Sequence, residues 1–178
     1  MRFDLKKIVF AAFLLLLLTG CSNSQMSDSK EDEALVLEAS SETQYAPVMQ
    51  EEILAGFIFS GKADVEGLDK LIENGLDSSQ ILVVEDVTAD DGEAFMNAYR
   101  HLAESGCVVI IAADGRYAEY CDQMSQEIPD VLVACKDAVG NGFNNYIGYK
   151  VNDTGDFYCR AIQTIIDGNW NGKDYYDG

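Results

Sequence analysis

GCVVIIAADGRYAEYCDQMSQEIPDVLVACKD, residues 106–137, is the stretch whose reading decides the fold. Cys107 to Ala113 is a continuous apolar run, too short for a helix and rich in β-branched residues, which predicts a strand buried on both faces. Asp114-Gly115 breaks it. Tyr117, Cys121, Met124 and Ile128 then recur at helical spacing on an otherwise polar segment. Pro129 stops that helix, because a proline disfavours helical geometry in the residue before it. Val131 to Cys135 is a second buried strand. Two doubly buried strands around one helix imply a parallel sheet with helices on both sides, and any ligand site falls in the loops after the strands, at 114–117 and 136–138.

The rest of the chain extends this unit. Ile53 to Ser60 is a first strand, and Val65, Leu68, Leu71 and Ile72 mark a short helix closed by Asn74-Gly75. Ile81 to Val84 is a second strand. Thr88 can cap a helix over about 89–104, with Phe95, Ala98, Tyr99 and Leu102 inward and Ser105-Gly106 as its stop. After the central unit, Tyr146 to Val151 is a fifth strand. Asp153 or Thr154 caps a last helix that buries Tyr158, Ala161, Ile162, Ile165 and Ile166 and ends at Gly168. Right-handed crossovers then give an open, doubly wound, mostly parallel α/β sheet of order 2-1-3-4-5, a single lobe over residues 51–168 followed by an aromatic, glycine-rich tail over 169–178.

The N-terminus is a separate segment. Arg2, Lys6 and Lys7 precede an apolar core, Ile8 to Leu18, that is shorter than the ~20 residues of a membrane-spanning helix. Residues 1–21 therefore read as an export signal. Its ending, Leu18-Thr19-Gly20-Cys21, resembles the bacterial lipobox, in which the cysteine thiol is lipidated and becomes the mature N-terminus. Residues 22–50, rich in Ser, Glu, Asp and Gln, read as a flexible acidic tether.

The formal net charge of −19 argues against a nucleic-acid partner, whose phosphates need basic groups, and against docking on anionic lipid through surface charge. Besides Cys21, four cysteines remain: Cys107, Cys121, Cys135 and Cys159. None has CxxC spacing, so they read as small buried hydrophobes. Export permits disulfides, and the spacing does not choose between four thiols and a buried pair such as Cys121 and Cys135.

Chemistry-bearing motifs are sparse. The chain has no phosphate loop and no nucleophile elbow, and its only histidine, His101, stands beside Arg100 without metal-ligand spacing. No enzyme, cofactor or metal site is expected. The candidates that remain are polar groups at strand ends: Ser60, Asp64, Asp114, Arg116 and Asp137. Carboxylates there can accept hydrogen bonds from sugar hydroxyls, or can simply shape turns.

Four stretches together resemble the basic membrane protein family, the lipid-anchored substrate-binding proteins of ABC transporters that include bacterial purine nucleoside receptors. They are 84–91 (VEDVTADD), 102–107 (LAESGC), 108–120 (VVIIAADGRYAEY) and 128–131 (IPDV), with 161–178 (AIQTIIDGNWNGKDYYDG) similar to the family's C-terminal segment. The resemblance implies a type I periplasmic-binding-protein lobe, an ABC permease as partner, membrane attachment through Cys21, and a nucleoside-type ligand. In that reading the acids Asp64, Asp114 and Asp137 hold ribose hydroxyls, Tyr117 or Phe143 stacks on a base, and Arg116 and Ser60 complete the ligand-binding set. Family members are longer and close two lobes on the ligand, whereas this chain has room for one. Asp137 matches the acid after the fourth strand. Asp64 lacks the aromatic that usually follows it, and Asp114-Gly115-Arg116 departs from the usual third-strand loop. The alternative is an interaction or regulatory lipoprotein module that has lost solute binding.

Overall fold

The structure, a computed structural model, describes residues 45–176. The signal segment, Cys21 and residues 22–44 of the tether lie outside the described residues. Among the described residues six strands form one parallel sheet: β1 (Ala55–Ile58), β2 (Ile81–Val84), β3 (Val109–Ala112), β4 (Leu132–Lys136), β5 (Tyr146–Lys150) and β6 (Tyr175–Tyr176), in the order 2-1-3-4-5-6. Four α-helices among the described residues accompany them: α1 (Val65–Glu73), α2 (Gly92–Glu104), α3 (Ala118–Glu127) and α4 (Thr154–Ile166). No described helix is long and apolar enough to cross a membrane.

β1, β3 and most of β4 are buried on both faces, as their unbroken apolar runs require. Val109 and Ile111 face α1 and α4, while Ile110 and Ala112 face α2 and α3. Adjacent strands are locked in register, with Ile58 beside Ala112 and Ala112 beside Cys135. On the α1/α4 side Tyr158 meets Phe57 edge-on at 5.2 Å between ring centres. On the other side Phe95 meets Tyr117 at 4.6 Å. Gly75, Gly106 and Gly168, read as helix stops, all adopt positive φ (101°, 93° and 66°), which only glycine takes without strain.

Three features depart from the sequence reading. First, α2 starts at Gly92 and is capped by Asp91, whose carboxylate accepts from Ala94 N; Thr88 instead forms the preceding turn, its carbonyl accepting from Asp91 N. Second, the termini of the lobe reach further. Tyr45, at the end of the expected tether, donates from its hydroxyl to Pro129 O, and Val48 N donates to Ile165 O. At the other end Trp170 is fully buried against the α1/α4 side, and β6 adds a sixth strand beside β5. Asp174 fixes this last segment, its Oδ1 accepting from Gly140 N at 2.6 Å and Gly148 N at 2.9 Å. A Cβ on Gly148 would clash with Ala138 O and meet Asp174 Oδ1 at 2.9 Å, so the loop, the strand and the segment close only around glycine.

Third, the final crossover is left-handed. α3, joining β3 to β4, lies on the α2 side. α4, joining β5 to β6 in the same lateral direction, lies on the α1 side. Parallel crossovers are right-handed in about 98% of cases. The α2/α3 side is already occupied near β5 by the 137–145 loop, where Asn141 donates to Ser125 Oγ and to Asp122 Oδ1 on α3. The Phe157, Tyr158, Ala161, Ile162 and Ile165 stripe of α4 is buried where α1 leaves the other side uncovered.

Candidate functional site

Because the strands are parallel, the loops after β1, β2, β3 and β4 all emerge at one edge of the sheet. α1, α2, α3 and α4 all begin there as well. Their starts carry acids for a local reason: Asp64 caps α1, Asp91 caps α2, Asp114 caps the 3₁₀ turn Gly115–Tyr117 that leads into α3, and Asp153 caps α4. Each carboxylate satisfies backbone N–H groups that the helix cannot, and faces the positive end of the helix dipole.

Asp114 does more than cap. Its Oδ2 accepts from Ser60 Oγ at 2.8 Å, tying the β3 loop to the β1 loop across the switch in strand order. It also receives Arg116 Nη2 at 2.6 Å and Nε at 3.1 Å, besides the Arg116 backbone N–H. The Arg116 guanidinium holds the Asp114 carboxyl well below the usual carboxylate range, against the opposing pull of partial burial, with the Arg116 N–H and the Ser60 hydroxyl adding to the effect. Arg116 itself is 61% exposed, so its remaining N–H groups face solvent at this edge.

Asp137 joins the same place from β4. A Cβ on Gly115 would lie 3.0 Å from Asp137 O and 3.2 Å from Asp137 Cβ, so the third- and fourth-strand loops touch through a glycine. Asp137 has φ 52°, a left-handed geometry that Asp tolerates better than most residues. Its side chain is 59% exposed and 3.8 Å from Lys136 Nζ, leaving its oxygens open to a ligand.

The sequence reading missed a second constellation at the same edge. Lys62, in the β1 loop, bonds Asp86 at 2.5 Å and Glu85 at 3.4 Å, both in the β2 loop, and Glu85 Oε1 also accepts from Ala63 N at 2.7 Å. Asp86, like Asp137, has a positive φ (56°). The two Lys62 pairs join residues 23 and 24 apart in sequence, and no local spacing rule points to them.

Three expected site residues are elsewhere or otherwise engaged. Asp64 spends its Oδ1 on Gly67 N as the α1 cap and bonds neither Asp114 nor Asp137. Tyr117 is 0% exposed, donates its hydroxyl to Val87 O at 2.5 Å and packs on Phe95; burial pushes its pKa up to about 12. It is a core residue and cannot stack on a ligand. Phe143 sits at the opposite edge, since its carbonyl accepts from Tyr146 N at the start of β5. Ser60, Asp114, Arg116 and Asp137 thus come together, and Tyr117 and Phe143 do not belong with them.

The best-formed cavities do not coincide with this edge. One of about 230 Å³ lies between α1 and α4, lined by Leu71, Leu76, Cys159 and Ile162 among others; another, wide open, runs along the outer surface of α1. The strand-end groups form an open surface in place of an enclosed pocket. The strand-end edge gathers convergent polar side chains from several loops, which is where open parallel α/β sheets bind ligands.

Residues 6–22 match the family model for a prokaryotic membrane lipoprotein lipid attachment site, which marks the chain as an exported, lipid-anchored protein. No curated protein sequence matches the chain. Among solved structures it is similar to an ABC transporter solute-binding protein from Conexibacter woesei DSM 14684, at 17% identity and a TM-score of 0.44, over 55% of this chain and 34% of that one. It is similar to an ABC transporter solute-binding protein from Aeropyrum pernix K1 at 16% identity and a TM-score of 0.42, over 55% of this chain and 28% of that one. A fragment from Peptoclostridium difficile 630, named as a lipoprotein, aligns at 18% identity and a TM-score of 0.45, over 62% of this chain and 94% of that one. The chain spans about a third of the length of the two solute-binding proteins.

Proposed function

We propose that the protein is an extracytoplasmic solute-binding lipoprotein that presents a small hydroxyl-rich ligand, of nucleoside type, to an ABC permease. The observation that carries this reading is the meeting of Ser60, Asp114, Arg116 and Asp137 from three strand-end loops at one edge of a parallel sheet. The lipid attachment site adds the location such a receptor needs. Exposed Asp137 oxygens accept from a vicinal diol, Arg116 donates to a ligand oxygen, and Asp114 keeps the guanidinium charged and in place. The role is binding, with no covalent step.

An open lobe leaves its ligand half exposed, whereas good pockets bury about 70–90% of it, so affinity is weak unless a second surface closes over the edge. The test is a thermal-shift screen of residues 22–178 against nucleosides, free ribose and free bases. A ligand at ten times its dissociation constant stabilises by roughly 1.4 kcal/mol and raises Tm by about 3–6 °C in a domain of this size. Nucleosides and ribose should both shift the melting curve and bases should not. A cooperative melt unmoved by every nucleoside sinks the reading.

A further inference from the structure

We propose that the outer edge of β2, with the exposed face of α1 on the same side of the sheet, docks a basic, extended segment of a partner protein as an added strand. The two edges of the sheet differ. The β6 edge is two residues long and carries cations, with Arg160 over the Tyr175 ring at 4.8 Å and Lys150 over the Tyr176 ring at 5.8 Å. Short strands and basic side chains keep an edge from pairing. β2 has neither. All four of its residues, Ile81 to Val84, are apolar, none is fully buried, and Val83 is 39% exposed. No strand among the described residues lies beyond it.

The backbone of β2 is oriented for such pairing. Phe59 N donates to Val84 O and Asp86 N to Gly61 O, so the even-numbered positions turn toward β1. Ile81 and Val83 therefore turn outward. Ile81 N–H is spent on Ser78 O, which leaves the Ile81 carbonyl and the Val83 N–H and carbonyl directed away from the sheet. Side chains add an apolar face. Ile81 packs with the α1/α4 core while Leu82 and Val84 pack with the α2/α3 core, so Val83 lies on the α1 side. On α1, Gly67 and Lys70 face α4 through Tyr158 and Asp153. Val65 and Ile72, two turns apart on a different flank, are 64% and 43% exposed.

Charge selects the occupant. The open groove along α1 is lined by Glu66, Asp69 and Glu73 beside Val65, and its one lysine, Lys70, is paired with Asp153 at 2.9 Å. Where β2 ends, Glu85 and Asp86 outnumber Lys62, which bonds both. A second copy of this chain, formal net charge −19, would bring the same acids face to face across a twofold axis. A segment with lysine or arginine flanking apolar residues meets those carboxylates with opposite charge. Its backbone pairs with Val83, and its alternate side chains lie against the apolar face.

The test uses the mature lipoprotein in detergent and capped synthetic peptides. One peptide alternates valine and threonine between terminal lysines. A second has glutamates in place of the lysines. A third keeps the lysines and replaces the valines by prolines, which cannot donate to a ladder. Binding is read by anisotropy of the labelled peptides, and pairing by hydrogen exchange of the fragment over residues 78–86. The first peptide should bind and slow exchange in that fragment, more weakly as salt is raised. The second should bind at least tenfold more weakly, and the third should give no protection. Val83→Pro, which removes an outward N–H, should abolish binding of the first peptide. Asp69→Lys with Glu73→Lys changes exposed positions of α1 only, so it leaves the core intact; it should weaken the lysine peptide at least tenfold and improve the glutamate peptide. Equal binding of the lysine and glutamate peptides, binding without protection of 78–86, or no binding of the lysine peptide up to about 1 mM overturns the proposal. So does protection of 78–86 that grows with protein concentration alone, which would give the edge to a second copy.

Discussion

Truncating Trp170 decides whether the segment after α4 belongs to the lobe. Trp170 is 0% exposed and packs into the core under α1 and α4. Burying about 200 Å² of indole at ~25 cal/mol per Å² contributes roughly 5 kcal/mol. Its Nε1 has no hydrogen-bond partner, and such a buried donor costs about 1–3 kcal/mol. The net of roughly 2–4 kcal/mol sits at the lower end of the 3–5 kcal/mol typical of Trp→Ala changes in cores, the cavity left behind adding to it. Against a total stability of about 5–15 kcal/mol, Trp170→Ala should lower the urea midpoint strongly with an unchanged slope. Trp170→Phe, which keeps most of the area and removes the unpartnered N–H, should lose less than half as much. Far-UV circular dichroism is the right probe, since Trp170 is the chain's single tryptophan and its fluorescence vanishes with the mutation. An alanine variant within about 0.5 kcal/mol of wild type, the range of ordinary surface substitutions, would show that this segment packs as a dispensable tail.

Two further outcomes follow from the same residues. Cys21→Ser should leave the precursor unprocessed or release the protein from the membrane fraction; mature size with full membrane retention would refute lipid attachment at Cys21. Asp114 has a folded pKa depressed by Arg116, so its contribution to stability is full above the ordinary carboxylate value near 3.9 and is lost as pH falls through the lower folded value. Acid unfolding curves of wild type and Asp114→Asn should therefore diverge above about pH 4 and converge toward low pH. A gap that persists unchanged at the lowest pH would assign the loss to something other than the ion pair.

The features legible in the sequence are those set by strong local chemistry. Apolar runs long enough only for strands located β1 to β5, and glycines at positive φ ended α1, α2 and α4 where Gly75, Gly106 and Gly168 stand. The strand order was likewise legible over its first five members. Tyr117 was misplaced because a strand-end position says nothing of side-chain direction: the 3₁₀ turn aims it back at Phe95 and Val87 O. Phe143 was misplaced because a nine-residue loop between parallel strands returns to the opposite edge, and the sequence does not mark where along it the crossing falls. The Lys62 pairs with Glu85 and Asp86 depend on β1 and β2 being neighbours, and the side of the sheet that α4 takes depends on what already fills the other side. Both are tertiary facts with no local signature.

Calorimetric titration of nucleosides into the wild type and Asp137→Ala tests the central claim most directly. The Asp137 side chain is 59% exposed and 3.8 Å from Lys136 Nζ, so its truncation, though alanine at φ 52° costs some stability, should leave a folded protein and register as lost binding. The account predicts a wild-type dissociation constant below about 1 mM, equivalent to ~4 kcal/mol, and at least tenfold weaker binding by the variant. No heat from any nucleoside with the wild type, or equal binding by both proteins, would contradict it.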